Sequence, residues 1–216
     1  MEKNEIQKAL KELKEKSPKR KFSQSIDIIF NIKGIDLKKT ENQIEFFTIL
    51  PYGKGKKVKV AALVGPELKE EAAKYCDKVV IADEFQKYAE NKKEAKLLAK
   101  NYDFFIAQGD IMAKVAAAFG KALGPRGKMP NPKADCIANP KTSMKNLYEK
   151  LQKTVKVSLK KSAIVQARIG TEQTPEEQLV ENIQSLYNQV VHAMPQEKNN
   201  IRSVLLKTTM GPVVKI

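Results

Sequence analysis

The chain of 216 residues has no tryptophan, one histidine and two cysteines, and this scarcity excludes several kinds of site. Cys76 and Cys136 do not lie in a CxxC spacing, and His192 has no second histidine to join it, so a zinc-type ligand set cannot be assembled. A nucleophilic side chain would also lack its usual base, since His192 falls on a presumed core-packing helix. We therefore expect no cofactor, no metal site and no catalytic residues, and two inert, buried thiols.

Long apolar runs and acidic residues are scarce as well. Every uncharged apolar stretch is far shorter than the roughly 18 residues that span a bilayer, and the polar start MEKNEIQK lacks the apolar core of a signal peptide. Forty Lys and Arg residues oppose 25 Asp and Glu residues, which leaves a net charge of +15. We expect a soluble, cytoplasmic protein that is drawn to a polyanion, either nucleic acid or an acidic membrane surface.

The positive charge is unevenly distributed. Residues 67–103 contain eight lysines and nine acidic residues, a net charge of −1. The rest of the chain therefore has a net charge of +16, which gives +15 in total. The stretch 67–103 is therefore not expected to make the main electrostatic contact.

Short strands alternate with helical sequence in the middle of the chain. The β-branched runs at 58–64, 78–82 and 103–107 are separated by segments rich in Ala, Glu and Lys. Such alternation predicts parallel strands joined by helices, which is a small Rossmann-like α/β layer.

The flanking segments show a different pattern. Alternating apolar residues predict strands at 25–33, 44–50, 163–169 and 202–210, and an apolar stripe predicts a core-packing helix between Pro175 and Pro195. These elements come from both ends of the chain and predict one outer α+β domain, residues 1–57 with 156–216, into which a Rossmann-like domain, residues 58–155, is inserted. The two chain crossings are placed at 51–59 and 151–157, and a double connection permits hinge motion.

The basic segment GKALGPRGKMPNPK at 120–133 suggests a phosphate-binding loop, but its spacing does not fit. Six residues separate Gly120 from Gly127 where a P-loop has four, and Met129 stands where a Ser or Thr is needed. Two readings remain open, a mobile loop that contacts phosphates and a solvated loop.

Two other segments have the composition of a nucleic-acid contact. KSPKRKF at 16–22 places basic residues directly before Phe22, and lysines can bind phosphates while an aromatic ring stacks on a base. A basic turn with Phe22 in the core is the alternative.

The last predicted strand carries hydroxyl groups on one face. Period two places Ser203, Lys207 and Thr209 together, and a backbone exposed at Gly211 would let RNA approach closely. Short hydroxyl side chains can hydrogen-bond to ribose 2′-hydroxyls or phosphates. An ordinary strand followed by a Gly-Pro turn is equally compatible with the composition.

Three classes of function can be compared on these features. RNA binding is favoured by the charge and by the two segments above. A nucleotide-dependent enzyme would need GxGxxG, and residues 53–58 fail at its last position. A basic chaperone or membrane-surface binder is disfavoured because the basic residues do not gather on one amphipathic helix.

Three segments together resemble the universal large-subunit ribosomal protein one family, in particular its archaeal branch. They are SVLLKTTMGPVVKI at the C-terminus, GKALGPRGKMPNPK in the inserted domain, and KFSQSIDIIFNIKGIDL after the first helix, and the resemblance covers nearly the whole chain. It implies the architecture described above and no catalytic role.

The resemblance also implies partners and contact residues. The partners would be large-subunit ribosomal RNA at the mobile stalk beside the exit-site tRNA and, in many members, the leader of the protein's own messenger, bound by a monomer that contacts no membrane. By motif, the implied RNA contacts at the first and last strands are Lys21, Phe22, Ser25, Ser203, Lys207, Thr209, Met210 and Gly211. Gln166 and Arg168 are weaker candidates because the family varies there.

Overall fold

The computed structural model describes residues 2–39, 42–139, 142–160 and 162–216. The helices are α1 Lys3–Lys16, α2 Lys69–Tyr75, α3 Phe85–Glu90, α4 Lys92–Asn101, α5 Met112–Leu123, α6 Met144–Lys153 and α7 Glu176–Ala193. The strands are β1 Ser25–Ile32, β2 Ile44–Ile49, β3 Val60–Val64, β4 Lys78–Ile81, β5 Phe104–Gln108, β6 Ile137–Ala138, β7 Thr154–Leu159, β8 Ile164–Thr171, β9 Ile201–Thr208 and β10 Val213–Lys215.

The chain divides into two compact units. Unit 1 comprises Met1–Lys56 and Lys153–Ile216, and unit 2 comprises Lys57–Gln152. The mixed α/β fold with one parallel sheet, predicted from the sequence, is confirmed. Whether the units fold as independent domains with the limits 57/58 and 155/156 stays a prediction.

Unit 1 is built around a four-stranded sheet in the order β10-β9-β1-β8, with every neighbouring pair antiparallel. Alternate residues of β1, which are Ile26, Ile28, Phe30 and Ile32, point into the core. The apolar stripes of α1 and α7 contribute to the same core, so the predicted core-packing helix is confirmed. Because burial covers one face of the sheet, the alternate residues on the other face are left accessible.

A second, two-stranded sheet in unit 1 joins β2 to β7. The sequence placed one chain crossing around 151–157, and the division between the two units falls within that range, after Gln152. The strand that begins directly afterwards, β7, was not predicted. The backbone of Leu50 donates a hydrogen bond to the Lys153 carbonyl at 3.0 Å, which brings the two chain crossings of unit 1 together.

Unit 2 contains a parallel sheet in the order β4-β3-β5-β6, and its helices alternate with the strands. All five residues of β3 are buried, as expected for a parallel strand covered on both faces. The two-residue strand β6 was not predicted. In the part of the chain that the structure describes, no helix is both long and apolar enough to cross a membrane.

Candidate RNA interface

The accessible face of the four-stranded sheet carries several of the predicted contact residues. Strand register places Arg168, Asp27, Lys207 and Val213 in one row across β8, β1, β9 and β10. The next row along the strands consists of Gln166, Ile29, Leu205 and Lys215. Predicted residues from distant parts of the sequence thus lie on one continuous surface, which we call the sheet face.

The first row is a short array of alternating charge. The Arg168 Nε lies 4.0 Å from the Asp27 carboxylate, and both side chains are more than 40% exposed. Partial burial raises the pKa of Asp27 above its ordinary value of 3.8, and the positive charges of Arg168 and Lys207 partly offset that effect. The two cations remain accessible, so the row can bind phosphate groups on either side of Asp27.

Ser203 is held in place by a side chain that the prediction did not include. The Asn31 amide donates a hydrogen bond to the Ser203 hydroxyl at 2.8 Å, and the two residues pair across β1 and β9. The hydroxyl group is therefore oriented by the neighbouring strand and keeps its own proton to donate.

At one end of the sheet, β1 and the residues after β9 exchange hydrogen bonds. The Ser25 N–H donates to the Thr209 hydroxyl and the Thr209 N–H donates to the Ser25 carbonyl, each at 3.1 Å. Met210 directly follows Thr209 and Phe22 lies three residues before Ser25, and these two residues are 54% and 51% exposed. The alternative that Phe22 belongs to the core is therefore wrong, and the exposed Lys21 lies beside it in the sequence.

A buried glutamine connects the segments at this end of the sheet. Gln24 is fully buried, and its amide donates to the Pro18 carbonyl at 2.9 Å and to the Glu172 carboxylate at 2.8 Å. Its carbonyl oxygen accepts a hydrogen bond of 3.0 Å from the Met210 N–H. We call Ser17, Pro18, Gln24, Glu172 and residues 208–211 the junction.

Gly211 is buried, so the prediction that its backbone is exposed to RNA was wrong. A Cβ atom at this position would lie 2.2 Å from the Thr208 hydroxyl and 2.7 Å from the Ser17 hydroxyl. Those two hydroxyl groups are themselves hydrogen-bonded at 2.9 Å. Gly211 is required because the turn passes close to the end of α1, and it acts on the surface by shaping that turn.

The basic segment at 120–133 lies in unit 2, and one of its lysines, Lys128, binds the end of a helix of the same unit. The Lys128 ammonium group donates hydrogen bonds to the carbonyls of Ala99 and Tyr102 at 3.1 and 2.6 Å, at the C-terminal end of α4. Burial lowers the pKa of Lys128. Since Gly127 forms a left-handed turn directly before it, Lys128 is directed to the helix carbonyls and not to a phosphate-loop position.

The thiols and the histidine do not form a site. Burial raises the pKa of Cys76 to about 12 and that of Cys136 to about 11, so both are protonated at neutral pH, although Cys76 is only partly buried and Cys136 fully so. His192 is exposed near the end of α7. Within the described ranges, no group of three His, Cys, Asp or Glu side chains could hold a metal ion.

The fold and the surface define a class: a two-unit α/β protein whose antiparallel sheet presents cations, hydroxyl groups and exposed apolar side chains. The family model described as "Ribosomal protein L1p/L10e family" matches residues 10–212. The chain therefore belongs to this family of ribosomal proteins.

Full-length relatives agree with this assignment. The chain is similar to the large ribosomal subunit protein uL1 of Pyrococcus horikoshii, with 39% identity over 215 residues, 100% of this chain and 96% of the relative. It is 41% identical to that of Methanothermobacter thermautotrophicus over 213 residues, 98% of each chain. With that of Nanoarchaeum equitans the identity is 42% over 202 residues, 92% of this chain and 93% of the relative.

Proposed function

We propose that the protein is a structural component of the large ribosomal subunit in the cytoplasm, and that it binds large-subunit ribosomal RNA through the sheet face and the adjoining end of the sheet. The finer position, at the mobile stalk beside the exit-site tRNA, is part of the same proposal and rests on the family resemblance. The relatives that match along nearly their whole length are named as proteins of that subunit.

The observation that carries the proposal is the clustering of Phe22, Met210 and the Ser25–Thr209 pair at one end of a cationic sheet. Exposed aromatic side chains beside cationic groups are common where RNA bases stack on a protein. Hydroxyl groups held by backbone hydrogen bonds recognise RNA by shape, through its 2′-hydroxyls and phosphates.

The test is a filter-binding titration of the intact protein at physiological salt. One RNA is a transcript of the large-subunit ribosomal RNA from the same genome, and the other is random-sequence RNA of equal length. We expect the ribosomal transcript to bind about a hundredfold more tightly, which corresponds to about 2.7 kcal/mol. Equal affinity for both RNAs would contradict the proposal.

We further propose that the leader of the protein's own messenger binds the same surface. A surface that recognises RNA shape binds any RNA that presents the same shape. Repression only after ribosomal sites are filled requires a tighter ribosomal complex, and a tenfold preference needs about 1.4 kcal/mol.

A competition experiment tests the shared surface. Excess ribosomal transcript should displace the leader, and Phe22→Ala should weaken both complexes. Tyr75→Ala removes an aromatic side chain that is 37% exposed in unit 2 and serves as the control. If Phe22→Ala weakened only one complex, the two RNAs would not share the site.

A further inference from the structure

The buried side-chain amide of Gln24 forms hydrogen bonds through all of its polar groups. Both amide hydrogens are donated, to Pro18 and Glu172, and the amide oxygen accepts from Met210. The backbone of Gln24 is also engaged, because its carbonyl accepts from the Glu172 N–H at 3.0 Å. A fully buried polar side chain is tolerated only when its groups are paired in this way.

These partners lie on three separate chain segments. Pro18 follows α1, Glu172 follows β8, and Met210 follows β9. The sequence separations from Gln24 are 6, 148 and 186 residues. Gln24 thus fixes both ends of the segment 19–23, which contains Lys21 and Phe22, and anchors the turn that presents Met210.

We propose that Gln24 is a positioning residue for RNA binding, which holds the segment 19–23 and the 209–211 turn in one arrangement before RNA arrives. This inference rests on the proposed function. Pre-organisation increases affinity because the ordering of the two segments is not left to the binding step. Gln24 itself touches no RNA, since it is fully buried.

Asn200 provides a matched comparison within unit 1. It is 1% exposed, accepts a hydrogen bond from the Gln196 N–H at 2.7 Å and donates one to the Lys33 carbonyl at 3.1 Å. It precedes β9, whereas Thr209 follows that strand, so the two positions lie at opposite ends of it. Asn200 bonds to no residue of the proposed contact surface.

The experiment uses the full chain, the ribosomal RNA transcript and two variants that replace an amide by an apolar side chain of similar shape, Gln24→Met and Asn200→Leu. Both should lower the melting temperature. Only Gln24→Met should weaken RNA binding, by about tenfold. Without the Gln24 amide, the RNA-binding arrangement of segment 19–23 and the 209–211 turn becomes one of several that the chain can adopt. If Gln24→Met bound within twofold of the parent chain, or if Asn200→Leu weakened binding as much, the proposal would be overturned.

A reciprocal exchange separates positioning from a general loss of stability. Gln24→Glu removes both donors and places a carboxylate against that of Glu172, so binding should weaken. Adding Glu172→Gln restores a donor to that contact, and we expect at least half of the lost affinity, on a logarithmic scale, to return. Absence of rescue in a folded double variant would contradict the proposal, and this pair decides the question if Gln24→Met does not fold.

The outcomes also separate this inference from the proposed function. If the parent chain fails to distinguish ribosomal from random RNA, the proposed function is wrong. If the parent chain distinguishes them and the Gln24 variants bind equally well, only the positioning role is wrong.

Discussion

The two units carry charge of the same sign but expose their sheets differently. Unit 1 has 22 basic and 13 acidic residues, a net of +9, and unit 2 has 18 and 12, a net of +6. In unit 1 the antiparallel sheet buries one face and leaves alternate residues accessible, whereas β3 of unit 2 is buried along its whole length. Under the proposed function, the open sheet face with its fixed hydroxyl groups, and not the net charge, distinguishes unit 1 as the RNA-binding unit.

The largest effects are expected from a matched pair of core truncations, one in each unit. Leu186 and Leu123 are both fully buried, the first in unit 1 and the second in unit 2. Each change to Ala should lower the free energy of unfolding of its own unit by about 2–5 kcal/mol. Binding measured during heating should fail early only in Leu186→Ala, and an equal early loss in Leu123→Ala would tie the RNA site to unit 2.

Charge reversal in each unit tests the role of geometry. Lys21→Glu with Lys207→Glu changes the proposed surface, and Lys92→Glu with Lys96→Glu makes the same change in net charge on α4 of unit 2. The first pair should weaken binding of the ribosomal transcript by about a hundredfold, about 2.7 kcal/mol. The second pair should have a much smaller effect in the same filter-binding assay. Equal losses would mean that net charge alone governs the affinity.

Exposed apolar residues allow a smaller comparison. Met210→Ala should reduce affinity by about tenfold, about 1.4 kcal/mol. Its stability, measured by denaturant unfolding, should change by less than about 0.5 kcal/mol because the side chain is more than half exposed. Leu97→Ala, at a residue 58% exposed in unit 2, is the control and should change neither quantity appreciably.

Thr209→Val should affect both affinity and stability. The substitution removes the acceptor of the Ser25 N–H, which costs about 1 kcal/mol of stability. It also removes a hydroxyl group from the proposed contact. A loss of affinity no greater than the loss of stability would indicate that Thr209 has only a structural role.

The number of phosphate contacts can be measured one lysine at a time. Lys207→Gln should reduce the slope of log affinity against log salt by about 0.9 if Lys207 contacts one phosphate. Lys96→Gln in unit 2 should leave the slope unchanged. Identical slopes for the parent chain and both variants would exclude a direct phosphate contact by Lys207.

The smallest expected effect concerns Asp27. Since burial raises the pKa of Asp27 above 3.8, the folded protein holds this proton more strongly than the unfolded chain does. Its contribution to stability is therefore full below pH 3.8 and is lost as pH rises through the raised pKa. Asp27→Asn should be slightly more stable than the parent chain at pH 7 and closer to it at pH 3, as measured by chemical unfolding. An equal difference at both values of pH would contradict this assignment.

Much of this fold could be predicted because its signals are local. Alternation at Ile26, Ile28 and Phe30 defines the inward face of β1, and the apolar stripe of α7 defines a core helix. The strand β7 was missed although its buried Val155, Val157 and Leu159 alternate with polar residues, because the segment was interpreted as a chain crossing. Its pairing with β2, about a hundred residues earlier in the chain, could not be deduced from the local sequence.

The contact residues were placed partly by resemblance, and the residues that support them were missed. Gln24 carried a signal, because it falls on the same alternation as Ile26 and Ile28 and is therefore directed inward. A polar side chain at an inward position predicts a buried hydrogen-bonded group. The burial of Gly211 had no such signal, since it depends on Ser17, which is bonded to Thr208 across 191 residues of sequence.

The position of β1 in the interior of the sheet determines when unit 1 can fold during synthesis. Both neighbours of β1, residues 164–171 and 201–208, leave the translating ribosome long after β1 itself, whereas unit 2 is one continuous segment. Domains generally fold as units as the chain emerges. A chain released between residues 152 and 201 thus contains all of unit 2 but lacks β9, so it cannot assemble the four-stranded sheet. Under the proposed function, such incomplete chains would not compete with complete chains for the RNA.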